Sequence, residues 1–187
     1  VSTGPVVDFR ARESLRATVD EEGDAVPLLY PTAVRRASVT WPPEDSRKPT
    51  AISSDGPVGK WLVPDGTYVL VRRFSAKEEP RRVIAGVLGE GQLGFDWIGL
   101  ENHLNYFHSE GAGIDRELAI GLAAYLNSKF VDTYIRSFNG HTQVNASDLR
   151  SLRYPSTDGL RELAQTAEPE EEVEALVAGL AASTGQA

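Results

Sequence analysis

The spacing of apolar and polar positions predicts a strand-rich first half. Residues 68–74, YVLVRRF, follow a turn at Asp65-Gly66 and are rich in β-branched and aromatic residues, which is typical of a buried strand. Residues 82–88 predict a second strand, and residues 96–107 contain a third. The connections between these strands are irregular. We therefore expect a twisted sheet, mostly antiparallel or mixed.

The segments before residue 60 are less regular. Residues 8–16, DFRARESLR, fit one or two helical turns, and residues 27–31, PLLYP, form a brief extended piece pinned by prolines. Residues 42–59 are rich in Pro, Gly, Ser and Asp, and this composition predicts a long loop.

The periodicity becomes helical after residue 113. Residues 114 to about 129 carry apolar residues near helical spacing, with Asp115 in the first turn, where the helix dipole favours an acid. Residues 131–138 fit either a strand or a continuation of this helix. A last helix is expected over residues 170–180.

A short helix is predicted over residues 148–152. Asn145 or Ser147 can cap its start, and Pro155 ends it. Together the elements predict an α+β fold with a C-terminal group of helices. Residues 1–160 are expected to form the principal domain, and residues 161–187, with six Glu and one Arg, an acidic helical tail.

Composition restricts the class of protein. The chain has 187 residues, 41% of them hydrophobic, and no apolar run long enough to span a bilayer. Zero Cys excludes disulfides and thiolate metal sites and favours a cytoplasmic protein. Zero Met indicates a trimmed start or a piece of a longer protein, and we favour the latter.

The charge is unevenly distributed. A net charge of −8 argues against a generic nucleic-acid binder. Residues 31–82, however, hold ten Arg or Lys against six Asp or Glu, so a modest basic surface is compatible with the sequence.

Two sequence patterns that bind a cofactor or a metal ion in other proteins are poorly supported in this chain. Residues 89–94, GEGQLG, match a dinucleotide-binding glycine pattern, but loop and strand follow instead of a helix, so a glycine-rich hairpin loop is the better interpretation. Glu101, His103 and His108 lack a metal-ligand spacing, and no Ser-His-Asp arrangement is identifiable. No metal site, bound cofactor or catalytic residue is predicted in this chain.

Two groups of polar residues fit nucleic-acid recognition. A basic cluster at the end of one predicted strand and the start of the next can hold phosphates or read guanine, and a polar loop before the short helix can read base edges or fix the loop that does so. Asn102 and His103 add further polar groups. The cluster comprises Arg72, Arg73, Lys77, Arg81 and Arg82, and the loop comprises Asn139, His141, Thr142, Gln143 and Asn145.

Four strings resemble a known bacterial family. They are VVDFRARESL (6–15), YVLVRRFSAKEEPRRV (68–83), ENHLNYFH (101–108) and LAAYLNSKFVDTYIRSFNGHTQVNASDLRSLRYP (122–155). They resemble the C-terminal target-recognition domain of N6-adenine DNA methyltransferases from type II restriction–modification systems. The ending is also similar to half of a type I specificity subunit. The tail beyond residue 160 lies outside the resemblance.

The resemblance implies recognition without chemistry. In that family an N-terminal catalytic domain binds S-adenosylmethionine, flips the target adenine and methylates it. The family's catalytic Asn/Asp-Pro-Pro-Tyr/Phe motif is absent, since Trp41-Pro-Pro-Glu44 lacks both the amide and the following aromatic residue. The implied partners are double-stranded DNA and the catalytic domain, in a cytoplasmic, nucleoid-associated bacterial protein. Whether the parent also cleaves DNA stays open. The alternative is an assembly domain of a restriction–modification complex that does not itself contact DNA.

Overall fold

The computed structural model describes residues 1–19, 24–44, 46–75, 78–138, 140–166 and 170–183. These ranges form eleven strands and five α-helices, with short 3₁₀ helices at Arg12–Ser14, Pro31–Ala33 and Gly56–Trp61. The strands are β1 Ser2–Thr3, β2 Leu15–Arg16, β3 Ala25–Leu29, β4 Val34–Arg35, β5 Ala37–Val39, β6 Ala51–Ser53, β7 Leu62–Pro64, β8 Tyr68–Arg72, β9 Ala85–Leu88, β10 Trp97–Leu100 and β11 Leu104–Phe107. The helices are α1 Arg116–Leu126, α2 Lys129–Phe138, α3 Ala146–Ser151, α4 Thr157–Gln165 and α5 Glu170–Ser183.

The strands form two mixed sheets. The first has the order β1-β11-β8-β9-β5-β4 and the second the order β2-β6-β3-β10-β7. Pairing is antiparallel except between β5 and β9 and between β3 and β10. The predicted α+β class, with a mixed sheet and C-terminal helices, is confirmed.

Strand β8 lies inside the first sheet, between β11 and β9, and is buried on both faces. Val69 and Val71 belong to the core formed with the helices, whereas Tyr68 and Leu70 belong to the core formed with the second sheet. Because successive side chains of a strand point to opposite faces, one run of apolar residues joins the two cores. The layers are therefore helices, first sheet and second sheet.

Helix α1 packs the helical layer against the first sheet. Asp115 caps α1, with its Oδ1 accepting a hydrogen bond from Leu118 N at 3.0 Å. Helix α4 crosses α1 at Gly121, where an added Cβ would lie 1.7 Å from the carbonyl oxygen of Leu160. Only glycine permits this approach of the two backbones.

The structure corrects several predicted elements. Residues 96–107 form two strands rather than one, because the chain turns at residues 101–103 and passes from the second sheet to the first. The predicted long loop at 42–59 contains strand β6 and most of a 3₁₀ helix. Residues 131–138 belong to helix α2.

The glycine-rich segment 89–94 is a turn, with positive φ at Gly91 and Gly94, but it is not a hairpin. Its flanking strands β9 and β10 lie in different sheets. A strand follows it, as predicted, and not a helix.

The boundary predicted at residue 160 falls inside helix α4. Leu163 of α4 and Val177 of α5 are buried in the same core as α1 and β8, so the last helices pack onto the main body. The functional division into a recognition domain and a tail stays a prediction. Among the described residues no helix is long and apolar enough to cross a membrane.

Candidate nucleic-acid interface

A groove of about 880 Å³ opens beside the turn that joins the two sheets. One wall carries Phe74, which follows β8, and His103, which lies in the turn between β10 and β11. The opposite wall is the segment after β5, which supplies Arg47 and Lys48. The complete lining is Tyr30, Pro31, Thr32, Arg35, Thr40, Pro43, Glu44, Ser46, Arg47, Lys48, Phe74 and His103.

Three cations line this groove, and all three are exposed. Lys48 Nζ lies 3.2 Å from Asp8 Oδ2 and 4.5 Å from the ring centroid of Tyr30. Arg35 donates to the backbone carbonyls of Thr32 and Val34 at 2.6 and 3.3 Å. Arg47 makes no hydrogen bond or ion pair with any described residue. Exposed cations around a concave surface attract polyanions such as a phosphate backbone.

Phe74 and His103 form an aromatic pair at the rim of the groove. Their ring centroids are 4.9 Å apart with an interplanar angle of 67°, and Phe74 is 42% exposed. A large apolar ring left in solvent beside cations is suited to contact with the planar bases or sugars of a nucleic acid.

His103 sits directly over Glu101, which has no solvent exposure. Glu101 Oε2 accepts a hydrogen bond from the His103 backbone N–H at 3.0 Å, and Oε1 lies 2.7 Å from His103 Nδ1. Burial raises the pKa of the Glu101 carboxyl, although the backbone hydrogen bond and the nearby charges of His103 and Lys48 oppose the shift.

The polar loop around residues 140–145 is attached to the same corner. Phe74 and Gln143 form an isolated antiparallel bridge, Ser75 N donates to Thr142 O at 3.0 Å, and Val144 N donates to Arg73 O at 2.7 Å. The side chains of His141 and Thr142 are exposed, and Gln143 is half-buried. The loop is thus paired with the segment that follows β8, in which Phe74 lines the groove.

Arg73 connects the loop to the turn between the sheets. Its Nε donates to Asn145 Oδ1 at 3.2 Å, and its Nη1 donates to the Asn102 carbonyl at 3.1 Å. Asn145 is also the N-cap of α3, and its N–H donates to Asp148 Oδ2 at 2.8 Å. The buried Asn105 supports the residue before Asn145, with its Nδ2 donating to Val144 O at 2.8 Å. Arg73, Asn102 and Asn145 therefore fix the loop's position.

Arg82 is almost completely buried, at 2% exposure. Its guanidinium donates to Ser75 Oγ at 3.0 Å and to the His141 carbonyl, while its backbone N–H donates to Asp132 Oδ1 at 2.6 Å. Arg72 donates through Nε and Nη2 to the Val34 carbonyl at 3.0 and 2.5 Å, and burial, followed by the charge of Arg35, lowers its pKa. Arg81 lies 3.9 Å from Glu174 of α5.

The predicted DNA-contacting residues therefore fall into separate groups. His103, His141, Thr142 and Gln143 lie on the groove and loop surface. Most of the predicted cations instead hold parts of the chain together. Lys77 and Asn139 lie outside the described residues. The DNA-contacting role of the predicted set stays a prediction.

His108 has a structural role, because both of its ring nitrogens lie within hydrogen-bond distance of other residues of the chain. Ser2 Oγ lies 2.9 Å from its Nε2, and Gly111 N donates to its Nδ1 at 2.9 Å. Within the described ranges no group of three or more His, Cys, Asp or Glu residues could hold a metal ion. Trp41, in the segment compared with the catalytic motif, donates from Nε1 to Thr50 O at 2.9 Å and packs against Phe95.

Two curated proteins are similar to most of this chain. The Type II methyltransferase M.BsuBI of Bacillus subtilis is 52% identical over 158 residues, which is 84% of this chain and 31% of that protein. The Type II methyltransferase M.PstI of Providencia stuartii is 45% identical over 164 residues, which is 88% of this chain and 32% of that protein. The chain is homologous to part of a Type II methyltransferase.

The chain spans about one third of the length of these relatives. No protein-family model matches it. The resemblance to type II methyltransferases is thus confirmed at the level of homology to a portion of these proteins.

Sequence reasoning missed the groove cations Arg35, Arg47 and Lys48. The available signal was the positive balance of residues 31–82, but that count does not distinguish exposed cations from buried ones. The three residues converge only because the segment after β5 folds back over Tyr30.

Proposed function

We propose that this chain is the DNA target-recognition domain of a restriction–modification N6-adenine DNA methyltransferase. In this proposal it positions double-stranded DNA for methylation by a catalytic domain outside the chain. That partner domain binds S-adenosylmethionine and flips the adenine, and this chain supplies no catalytic residue.

One observation carries the proposal most strongly. The chain is 52% identical to a Type II methyltransferase across most of its own length, while spanning only 31% of that protein. A groove lined by exposed cations beside a loop of polar side chains supports the same function.

The groove cations and the polar loop have different roles in DNA recognition. Arg35, Arg47 and Lys48 hold phosphates and set the register of the duplex, a contact that carries no sequence information. The side chains of His141, Thr142 and Gln143 lie next to the groove and read base edges. Arg82 and Arg73 act through the loop, since they fix the backbone from which these side chains project.

Selection from a random duplex library tests the proposal. The 187-residue chain, immobilised at about 50 mM salt, is expected to enrich a short motif over several rounds. Its affinity for that motif should fall steeply between about 50 and 200 mM salt, because phosphate contacts release counterions. Failure to bind any duplex at low salt would overturn the proposal and favour an assembly domain that makes no DNA contact.

A second experiment tests whether the motif that this chain selects is also the motif that the full-length protein methylates. The full-length protein encoded by the same gene should methylate adenine within the motif that the chain selects. Methylation at an unrelated motif would contradict the assignment of target recognition to this chain.

A further inference from the structure

Glu101 is a buried acid whose environment is incomplete. It lies in the turn between the two sheets, and its Oε1 has no hydrogen-bond partner among the described residues. The imidazole of His103 lies beside it, with Nδ1 2.7 Å from Oε1 but out of line for a hydrogen bond. Tyr30, which lines the adjacent groove, also has a buried hydroxyl without a partner in the described chain.

A buried carboxylate oxygen requires a donor, because leaving it unpaired is unfavourable by several kcal/mol. A small rotation of the His103 ring brings an Nδ1–H into line with Oε1, so the pair favours the neutral tautomer protonated at Nδ1. Phe74 packs against the ring at 4.9 Å and limits its other orientations. The remaining charged groups near the carboxyl are Lys48 and Asp8, which are themselves paired at 3.2 Å.

The other ring nitrogen of His103, Nε2, makes no hydrogen bond with any described residue. The side chain is 42% exposed and lines the groove. When Nδ1 carries the proton, Nε2 is a hydrogen-bond acceptor. The groups on base edges that donate to such an acceptor in the major groove are the amino groups of adenine and cytosine, whereas a phosphate offers no donor.

We propose that Glu101 is a positioning residue that holds His103 through Nδ1 and so presents Nε2, as an acceptor, to the amino group of a DNA base. The DNA step rests on the function proposed above. The Glu101 step concerns the free chain alone. In this proposal His103 determines base specificity, whereas its neighbours Arg47 and Lys48 bind phosphates.

Nitrogen-15 NMR of histidine side chains tests the positioning step without DNA. At about pH 8, where histidine rings are mostly neutral, His103 should carry its proton on Nδ1. His108 is an internal control, because its Nδ1 accepts from Gly111 N and its proton must therefore reside on Nε2. Glu101→Gln should move the His103 proton to Nε2, since the new amide can donate to Nδ1. A wild-type His103 protonated at Nε2 would overturn the proposal.

Binding to variants of the selected motif tests the DNA step. Wild-type chain should prefer adenine or cytosine at one position by about tenfold, and Glu101→Gln should abolish this preference while leaving the other positions unchanged. His103→Gln places an amide oxygen near the former Nε2 and should retain part of the preference. His103→Asn reaches only as far as Nδ1 and should lose it.

The results separate the two proposals. A chain that binds no DNA removes the proposed function, while the tautomer in the free chain still decides the Glu101 step. A chain that selects a motif, but whose His103 variants lose affinity equally at every position, retains the proposed function and overturns the base contact. Because the His103 ring is partly exposed, its variants remain informative even if Glu101→Gln destabilises the fold.

Discussion

Two groups of cations in this protein have similar sequence signatures and different surroundings. Arg72, Arg73 and Arg82 flank the connection between β8 and β9, and their guanidinium groups donate to the backbone and side chains of neighbouring segments. Arg47 and Lys48 lie in a segment rich in turn-forming residues and are exposed along the groove. The first group holds segments of the chain together, whereas the second is exposed and is assigned phosphate contacts only by the proposed function.

The difference shows why a cluster of cations in a sequence is ambiguous. Arginine has five donors in a planar fork, so it can satisfy several carbonyl groups at once. Arg82 uses this capacity to connect Ser75 with His141 at the base of the polar loop. Its position beside Arg81 in the sequence gives no indication that it is buried.

The strongest test of the comparison removes the buried cation. Arg82→Ala leaves the His141 carbonyl and the Ser75 hydroxyl without their donor, and it opens a cavity. We expect a loss of about 3 kcal/mol in the free energy of unfolding, measured by urea denaturation. Arg81→Ala is the matched control, and its half-buried ion pair at 3.9 Å from Glu174 should contribute no more than about 1 kcal/mol. Equal losses in the two variants would remove the distinction.

Removing the groove cations should chiefly weaken DNA binding, whereas Arg82→Ala should chiefly lower the free energy of unfolding. The double variant Arg47→Ala/Lys48→Ala should bind all duplexes about tenfold or more weakly, and the slope of log affinity against log salt should decrease by about 2. Its free energy of unfolding should fall by no more than about 1 kcal/mol, because the ion pair of Lys48 with Asp8 is a surface contact.

The control for that experiment is Lys129→Ala/Arg161→Ala, which removes the same charge from the helical face. It should leave the salt slope unchanged. If this control weakens binding as much as the groove variant, net charge and not the groove accounts for affinity.

A variant of Gln143 tests whether this residue reads a DNA base or only shapes the polar loop. Gln143→Ala should change the preference between sequences by about 1–3 kcal/mol if the amide pairs with a base, with little change in the salt slope. Gln165→Ala, on the distant helix α4, is the matched control. A uniform loss on every duplex would place Gln143 among the residues that only shape the loop.

The smallest expected effect concerns pH and Glu101. Burial raises the pKa of this carboxyl in the folded state, so folding favours its protonated form. The associated stability is fully present below the unfolded-state pKa, about 4.3, and is lost as pH rises through the raised folded value. Glu101→Gln should therefore gain stability relative to the wild type between about pH 4 and pH 7, in denaturation series at fixed salt. A constant difference across this range would contradict the assigned direction.

The sequence predicted the fold class and the helices α1, α3 and α5 because their signals are local, whereas α2 was left open between strand and helix and α4 was not predicted. Asn145, one of the two predicted caps, is the N-cap of α3, and Asp115, predicted in the first turn of α1, is the N-cap of that helix. The division of residues 96–107 between two sheets was not predictable, because the turn at 101–103 depends on the buried Glu101 accepting the His103 N–H. The groove was missed for a similar reason, since its walls come from Phe74 and from Arg47, 27 residues apart in sequence. Only the folded chain shows that Arg72, Arg73 and Arg82 donate hydrogen bonds to other segments of the protein.

The central claim is that the groove and the adjoining polar loop form the DNA-contacting face. Hydrogen–deuterium exchange of the chain with and without its selected duplex measures this directly. The account predicts protection on DNA binding at residues 46–48, 101–103 and 140–145, with no change in α1, α4 and α5. Protection confined to those helices, with the groove and the loop unaffected, would contradict it.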